Sequence, residues 1–186
     1  MAAATFSQYV RLAYFSKPAG DRQIYRAIQR LKAKSIVEMG VGMGVRSKRL
    51  IQVAQRYAGD QQVRFTGIDM FEAREAHNPG WTVKRAHSVL TSLGAKVQVV
   101  PGDPFSALAR TANSLTGTDL VVIGHDQEQD SMDRAWFYMP RMLTETSLVF
   151  LAELDEKSGK TSFRELDFTA VSEFANVCAT ETKKAA

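Results

Sequence analysis

The chain has 186 residues, 45% of them hydrophobic, a formal net charge of +4 and one cysteine, Cys178. That length and apolar content suit one globular domain with a sizeable core and leave little room for a second. They exclude a disordered, collagen-like or coiled-coil chain and an internal disulfide; no apolar run approaches the roughly 20 residues of a membrane helix.

The start, Met1-Ala2-Ala3-Ala4-Thr5-Phe6-Ser7, lacks a basic region followed by a long apolar stretch and makes a poor signal peptide. The default expectation is a cytoplasmic protein with no membrane partner. Basic residues gather early, at Arg26, Arg30, Lys32, Lys34, Arg46, Lys48 and Arg49. A nucleic-acid surface uses such a cluster. No zinc-finger, RNA-recognition or helix-turn-helix signature accompanies it, and solvated helix faces account for it better.

In chain order, residues 6–15 form a short amphipathic segment, broken at Ser16-Lys17-Pro18-Ala19-Gly20. Asp21 caps a second helix with Ile24, Tyr25, Ile28 and Leu31 on one face. A buried strand at 35–38 runs into Glu38-Met39-Gly40-Val41-Gly42-Met43-Gly44, and a helix follows to about Tyr57. The order is strand, tight glycine turn, helix N-terminus, and such a turn lets a ligand approach the backbone closely. A second strand spans 63–69 and ends in Asp69; a loop covers 70–80 and a helix 81–93. A third strand, 96–100, ends at Pro101-Gly102-Asp103-Pro104 and leads to a helix over 106–115. The fourth strand, 119–124, is apolar; a helix spans 132–143 and a fifth strand 147–151. A turn-like stretch at 155–160 then returns the chain through 161–168, which can pair with strand five as a hairpin, to a helix over 170–178 and a loose tail at 181–186.

Alternating strands and helices, with strands apolar throughout, predict a doubly wound α/β fold with a mostly parallel sheet. The expected organisation is a single domain: an N-terminal helical segment (1–34), a core (35–154) and a shortened C-terminal extension (155–186). In such folds ligands sit beyond the carboxyl ends of the strands, where the glycine turn, Asp69 and Asp103 converge. An acid at the second strand end can accept hydrogen bonds from ribose hydroxyls, and Asp103 is placed to meet an adenine amino group. Taken singly, each is a turn former or helix cap; together and in order they point to a nucleoside-containing ligand.

The dehydrogenase fingerprint Gly-x-Gly-x-x-Gly is absent, since Val45 stands where its third glycine would. Glu38 to Gly44 instead resembles the first motif of the class I S-adenosylmethionine-dependent methyltransferases, an acidic residue, any residue, then Gly-x-Gly-x-Gly. The resemblance covers roughly residues 20–152. It implies a Rossmann-like methyltransferase fold and S-adenosylmethionine as cofactor, with the backbone at Gly40, Gly42 and Gly44 against it. It further implies Glu38 near the methionine ammonium, Asp69 at the ribose and Asp103 at the adenine. Met43, Met70 and Pro104 complete the expected cofactor contacts. Residues 119–123 match the fourth-motif strand under the active site.

Methyl transfer asks the protein to align donor and acceptor and, for an oxygen acceptor, to remove a proton. His125 and Asp126, directly after the fourth strand, are the catalytic candidates, because an imidazole titrates near neutral pH. Catechol-type enzymes carry a metal-ligating aspartate here. Asp126, Glu153 and Asp155 would form a hard oxygen site for magnesium, but the paired Asp-Asn of that family is missing, and no metal is assigned. The long loop holding His77 and Trp81 can shape a substrate pocket; an exposed His77 and a packed Trp81 are the simpler reading. Core packing accounts for Trp136, Phe137, Tyr138, Met139 and Met142.

The sequence thus predicts a methyltransferase acting on a small-molecule acceptor, at oxygen. The shortened end favours one alternative, a non-catalytic S-adenosylmethionine-binding or regulatory module; the basic N-terminal third favours another, an RNA methyltransferase. The sequence leaves room for a homodimer. A nicotinamide oxidoreductase ranks last because the glycine spacing disagrees.

Overall fold

The structure, a computed structural model, describes residues 3–155 and 159–184. Its helices are α1 (Phe6–Val10, continued by a π turn, Arg11–Phe15), α2 (Asp21–Leu31), α3 (Val45–Tyr57), α4 (Val83–Thr91), α5 (Pro104–Thr111), α6 (Gln129–Ala135) and α7 (Phe168–Lys184). Its strands are β1 (Ser35–Met39), β2 (Arg64–Asp69), β3 (Lys96–Pro101), β4 (Thr118–Ile123), β5 (Leu143–Asp155) and β6 (Lys160–Leu166). The six strands form one sheet in the order β3-β2-β1-β4-β5-β6, parallel except for β6, which runs antiparallel to β5.

Side-chain alternation divides the sheet between two apolar layers. Ile36, Phe65, Leu120, Val122 and Phe150 face one, with Ile24, Ile28, Leu50, Ile51 and Leu90 from α2, α3 and α4. Val37, Met39, Ile68, Val121, Ile123 and Val149 face the other, with Leu108, Met132, Met139 and Val171 from the second half of the chain. The helices therefore cover both faces, as predicted. The strand order reverses between β1 and β4, and there the crevice opens at the carboxyl ends. At the opposite end the Asp119 carboxylate accepts the Lys34 and Ser35 N–H groups at 2.7 and 2.9 Å, fixing the start of β1 against β4.

β5 passes directly into β6, the predicted hairpin; residues 156–158 of its turn lie outside the described residues. The chain's own N-terminal part touches β6 at Phe163 and Thr161. Gln23 Nε2 donates to the Phe163 carbonyl at 2.6 Å, and Gly20 packs where an added Cβ would stand 2.6 Å from the Thr161 carbonyl.

Several boundaries move for local reasons. α5 begins at Pro104 rather than 106, because Asp103 caps it and a proline at the first helical position needs no N–H partner. The helix expected over 132–143 starts at Gln129 and tightens into a 3₁₀ stretch (Trp136–Arg141) around Pro140, while Leu143 already belongs to β5. The tail expected from 181 continues α7 to Lys184, and 185–186 lie outside the described residues. No described helix is long and apolar enough to cross a membrane.

Candidate active site

The glycine turn joins β1 to α3. Gly40, Gly42 and Gly44 all have positive φ, +90°, +54° and +64°, so the turn needs residues without a Cβ. Each glycine has a different neighbour. An added Cβ at Gly40 would stand 2.7 Å from Asp126 Oδ1 and 2.8 Å from Gln127 Nε2, on the floor of the crevice. One at Gly44 would stand 2.1 Å from Cζ3 of Trp81; one at Gly42 would meet nothing within 4 Å.

Glu38, on β1 under this turn, is fully buried. Arg46 Nε donates to its Oε1 at 2.7 Å, Ser47 Oγ donates to Oε2, and Arg46 Nη2 reaches the Gly40 carbonyl at 3.3 Å. Burial pushes the Glu38 carboxyl above its ordinary range, and Arg46 and Ser47 pull it back only in part. The acid of the first motif is thus engaged within the protein, bracing the first turn of α3.

Asp69 ends β2 at 2% exposure. Its Oδ1 accepts from Phe71 N at 2.9 Å and Arg74 Nε at 2.5 Å; its Oδ2 accepts from Gly42 N at 2.7 Å and Arg74 Nη2 at 2.6 Å. The carboxylate therefore holds a side-on guanidinium fork and two backbone donors. Arg74 turns its third nitrogen, Nη1, to Asp126 Oδ2 at 2.7 Å. Asn78 Nδ2 adds a bond to the same oxygen at 3.3 Å and Gln127 one to Oδ1 at 2.8 Å. Burial raises the Asp126 carboxyl, but Arg74, with Gln127 and Asn78, outweighs it and holds the group below its ordinary range. Asp126 is a weak base while Arg74 stays in place.

Asp103 caps α5. It accepts from Ser106 N at 3.1 Å, Ser106 Oγ at 2.5 Å and Ser131 Oγ at 2.5 Å. Desolvation acts upward on this carboxyl, yet the bonds from Ser106 and Ser131 hold it down at about 2. Its side chain also lines the crevice, beside Pro104.

Two cavities open here. The larger, about 820 Å³, runs over the ends of β2, β3 and β4, with Asp69, Met70, Arg74, Asp103 and His125 among its lining. The smaller, about 210 Å³, lies over the glycine turn, with Gly40, Met43, Arg46 and Gly124 in its wall. His125 and Asp126 line both, so the two catalytic candidates stand where the cavities meet. Met43 and Met70 are 51% and 43% exposed on the rim.

The loop between Asp69 and α4 folds back over the turn. Trp81 is buried, its N–H donating to the Gly42 carbonyl at 2.9 Å, while His77 is exposed beside Glu75, so both follow the simpler reading of the sequence. Glu153 and Asp155 run out along the hairpin, opposite Ser162 and Lys160, away from the bonds that hold Asp126. Among the described residues no group of His, Cys, Asp and Glu gathers as a metal cage. Sequence reasoning missed Arg74, Asn78 and Gln127. Arg74 carries no periodicity, and its one signal is a cation five positions beyond a buried strand-end acid.

No protein-family model matches the chain, and no curated protein matches it. Solved structures do. The trans-methyltransferase CalH, solved in complex with SAH, aligns over 73% of this chain at 15% identity and a TM-score of 0.52. This chain spans only 36% of CalH. A TehB-like SAM-dependent methyltransferase from Corynebacterium glutamicum aligns over 90% of this chain and 76% of its own, at 16% identity and a TM-score of 0.50. A candidate O-methyltransferase from Klebsiella pneumoniae aligns over 92% and 76%, at 15% identity and a TM-score of 0.54. At such identities the likeness carries the fold, and the fold is that of the class I S-adenosylmethionine-dependent methyltransferases.

Proposed function

We propose that this chain is an S-adenosylmethionine-dependent methyltransferase acting on a small-molecule acceptor at oxygen. One observation carries the reading: the positive-φ glycine turn walls a cavity of about 210 Å³, and Asp69, whose carboxylate accepts the Gly42 N–H, lines the adjoining one of about 820 Å³. A glycine turn whose backbone forms the wall of a cavity at Gly40 suits a ligand laid against it. The structural neighbours, one of them solved with SAH bound, support the same ligand.

In this reading the adenosine part occupies the larger cavity, next to Asp69, Met70, Asp103 and Pro104. The methionine part follows the glycine turn into the smaller one, with Met43 on its rim. Arg46 offers a guanidinium in that wall, already balanced by Glu38, so Glu38 acts on the ligand through Arg46 and the turn rather than by contact. The cofactor supplies an activated methyl group, and the protein supplies alignment and proton removal. His125, exposed where the cavities meet, is the proposed base for an acceptor hydroxyl. Asp126, held ionised by Arg74, orients groups around it.

A second reading, a non-catalytic binding module, draws on the Asp69 carboxylate, whose oxygens are all engaged within the protein. Calorimetry with S-adenosylmethionine and SAH, NAD as control and Gly40→Ala alongside, tests the cofactor assignment. Micromolar binding that Gly40→Ala abolishes supports it; no binding of either nucleoside ends it. Turnover lost in His125→Ala with SAH affinity intact separates enzyme from binding module.

A further inference from the structure

The Asp69–Arg74 fork has a geometry that the assigned ligand would need for itself. A cis-diol binds a carboxylate by donating one O–H to each oxygen, side by side. Arg74 does this now: Nε donates to Oδ1 and Nη2 to Oδ2, at 2.5 and 2.6 Å. The other positions on the two oxygens belong to the Phe71 and Gly42 N–H groups. With two donors on each oxygen, none is left for a ribose. The guanidinium is also held from outside, by Asp126, and its stem packs against Gly80, where an added Cβ would stand 2.8 Å from Arg74 Cδ. The Arg74 side chain is 8% exposed, so the fork is a packed contact.

Resting on the cofactor reading above, we propose that Arg74 is a built-in competitor for the ribose subsite: it stands in for the ribose diol in the free protein, and a ligand reaches Asp69 only by displacing both arms of its fork. The bond to Asp126 gives the displaced side chain a place to stay. Pivoting on Nη1, the guanidinium leaves Asp69 yet remains over the larger cavity, which Asp126 also lines. A ligand with a single hydroxyl would strip Arg74 from a buried carboxylate and leave one oxygen with only its backbone donor. A nicotinamide dinucleotide phosphate, with its 2′-phosphate, would bring a second anion to Asp69. Arg74 thereby sets the affinity threshold that any ligand of Asp69 must exceed.

The test is the affinity of SAH and of 2′-deoxy-SAH for the wild-type chain and for Arg74→Met, each confirmed folded by thermal denaturation. The proposal expects Arg74→Met to bind SAH about 10-fold more tightly, because no competitor remains on Asp69. It expects 2′-deoxy-SAH to gain by a similar factor, because both ligands displace the same fork, so the preference between them stays about constant. Should Arg74→Met fail to fold, the wild-type chain labelled with ¹⁵N-arginine gives the answer. The Arg74 Nε–H is protected from exchange in the free protein, and it shifts and loses protection when SAH saturates the site. Equal or weaker SAH binding by a folded Arg74→Met, or an Arg74 resonance that SAH leaves unmoved, overturns the proposal while the cofactor reading stands. If neither folded protein binds SAH, both fall; binding by Arg74→Met alone supports both.

Discussion

The three glycines of the turn share a positive φ but differ in what surrounds them, which separates backbone strain from packing. In Gly42→Ala the new methyl meets nothing within 4 Å, so the change costs only the left-handed backbone at φ +54°. That is about 1–2 kcal/mol, part of it returned by a less flexible unfolded chain, for about 1 kcal/mol net. Gly44→Ala carries the same strain at φ +64°, and its methyl would stand 2.1 Å from the Trp81 ring. The Trp81 ring is buried and the backbone that carries it is tied to the turn by its amide N–H on the Gly42 carbonyl, so the ring has little room to move aside. Overpacking of this kind adds about 1–3 kcal/mol, for about 2–4 kcal/mol in all. Gly40→Ala carries its strain at φ +90° and presses on Asp126 Oδ1 and Gln127 Nε2, which Arg74 and Asn78 help to hold, so it also costs more than Gly42→Ala. It is the variant that raises the crevice floor, so it loses SAH binding while folded. Urea unfolding of the three variants, with calorimetry on the folded ones, reads all of this. A Gly44→Ala as stable as Gly42→Ala within about 0.5 kcal/mol would mean that Trp81 does not lock the turn, and the account of loop 70–81 would fail with it.

Three other substitutions probe the supports of the site. Asp103→Ala removes the α5 cap, at about 1 kcal/mol near neutral pH given the part-exposed position. Because the Asp103 carboxyl lies at about 2 in the folded protein against an ordinary 3.8, its contribution is complete above the higher value and fades as pH falls through the lower. The wild-type and variant unfolding curves should therefore converge near that acid limit, and a gap that persists there refutes the assignment. Glu38→Ala strands Arg46 under the turn and should cost about 3 kcal/mol in urea unfolding; under about 1 kcal/mol would show that Arg46 finds solvent without it. Gly20→Ala drives a methyl against the Thr161 carbonyl and should speed hydrogen exchange along β6 ahead of the central strands. Uniform exchange would place the weak point elsewhere.

The fold was legible because the sheet is built from strands with two dry faces. Ile36-Val37 and Leu120 to Ile123 are apolar at consecutive positions, and only a sheet covered on both sides asks for that. The glycine turn was legible because three alternating glycines have few other uses. What Asp103 and Asp69 touch was not. Asp103 reads equally as cap or ligand contact from its position, and the serines that decide are Ser106 on its own helix and Ser131 on another. The partner of Asp69 lies in a loop whose path is set by Trp81 packing on Gly44, a contact between residues with no shared periodicity. Asp126 was expected to serve acceptor chemistry, and only the folded loop reveals the guanidinium that holds it.

A carboxylate at 2% exposure needs donors whether or not a ligand is present, since each unmet bond of a buried ion costs about 1–3 kcal/mol or more. In an open crevice water meets that need. Here the loop that ends at Trp81 brings Arg74 to Asp69 instead. Affinity for a nucleoside is then a difference between two sets of bonds, not the sum of one. At Asp69 the exchange runs uphill, because neutral hydroxyls replace a charge-assisted fork that is roughly twice as strong bond for bond. The deficit must be met by the rest of the ligand and by the bond Arg74 keeps to Asp126. The methionine end, seated along the glycine turn, is the larger source. Adenosine alone should therefore bind far more weakly than SAH, and Arg74→Met should strengthen both by a similar factor, since both displace the same fork. Adenosine that binds the wild-type chain as tightly as SAH would mean that the fork opens without help from the methionine end, and that the exchange at Asp69 is not uphill.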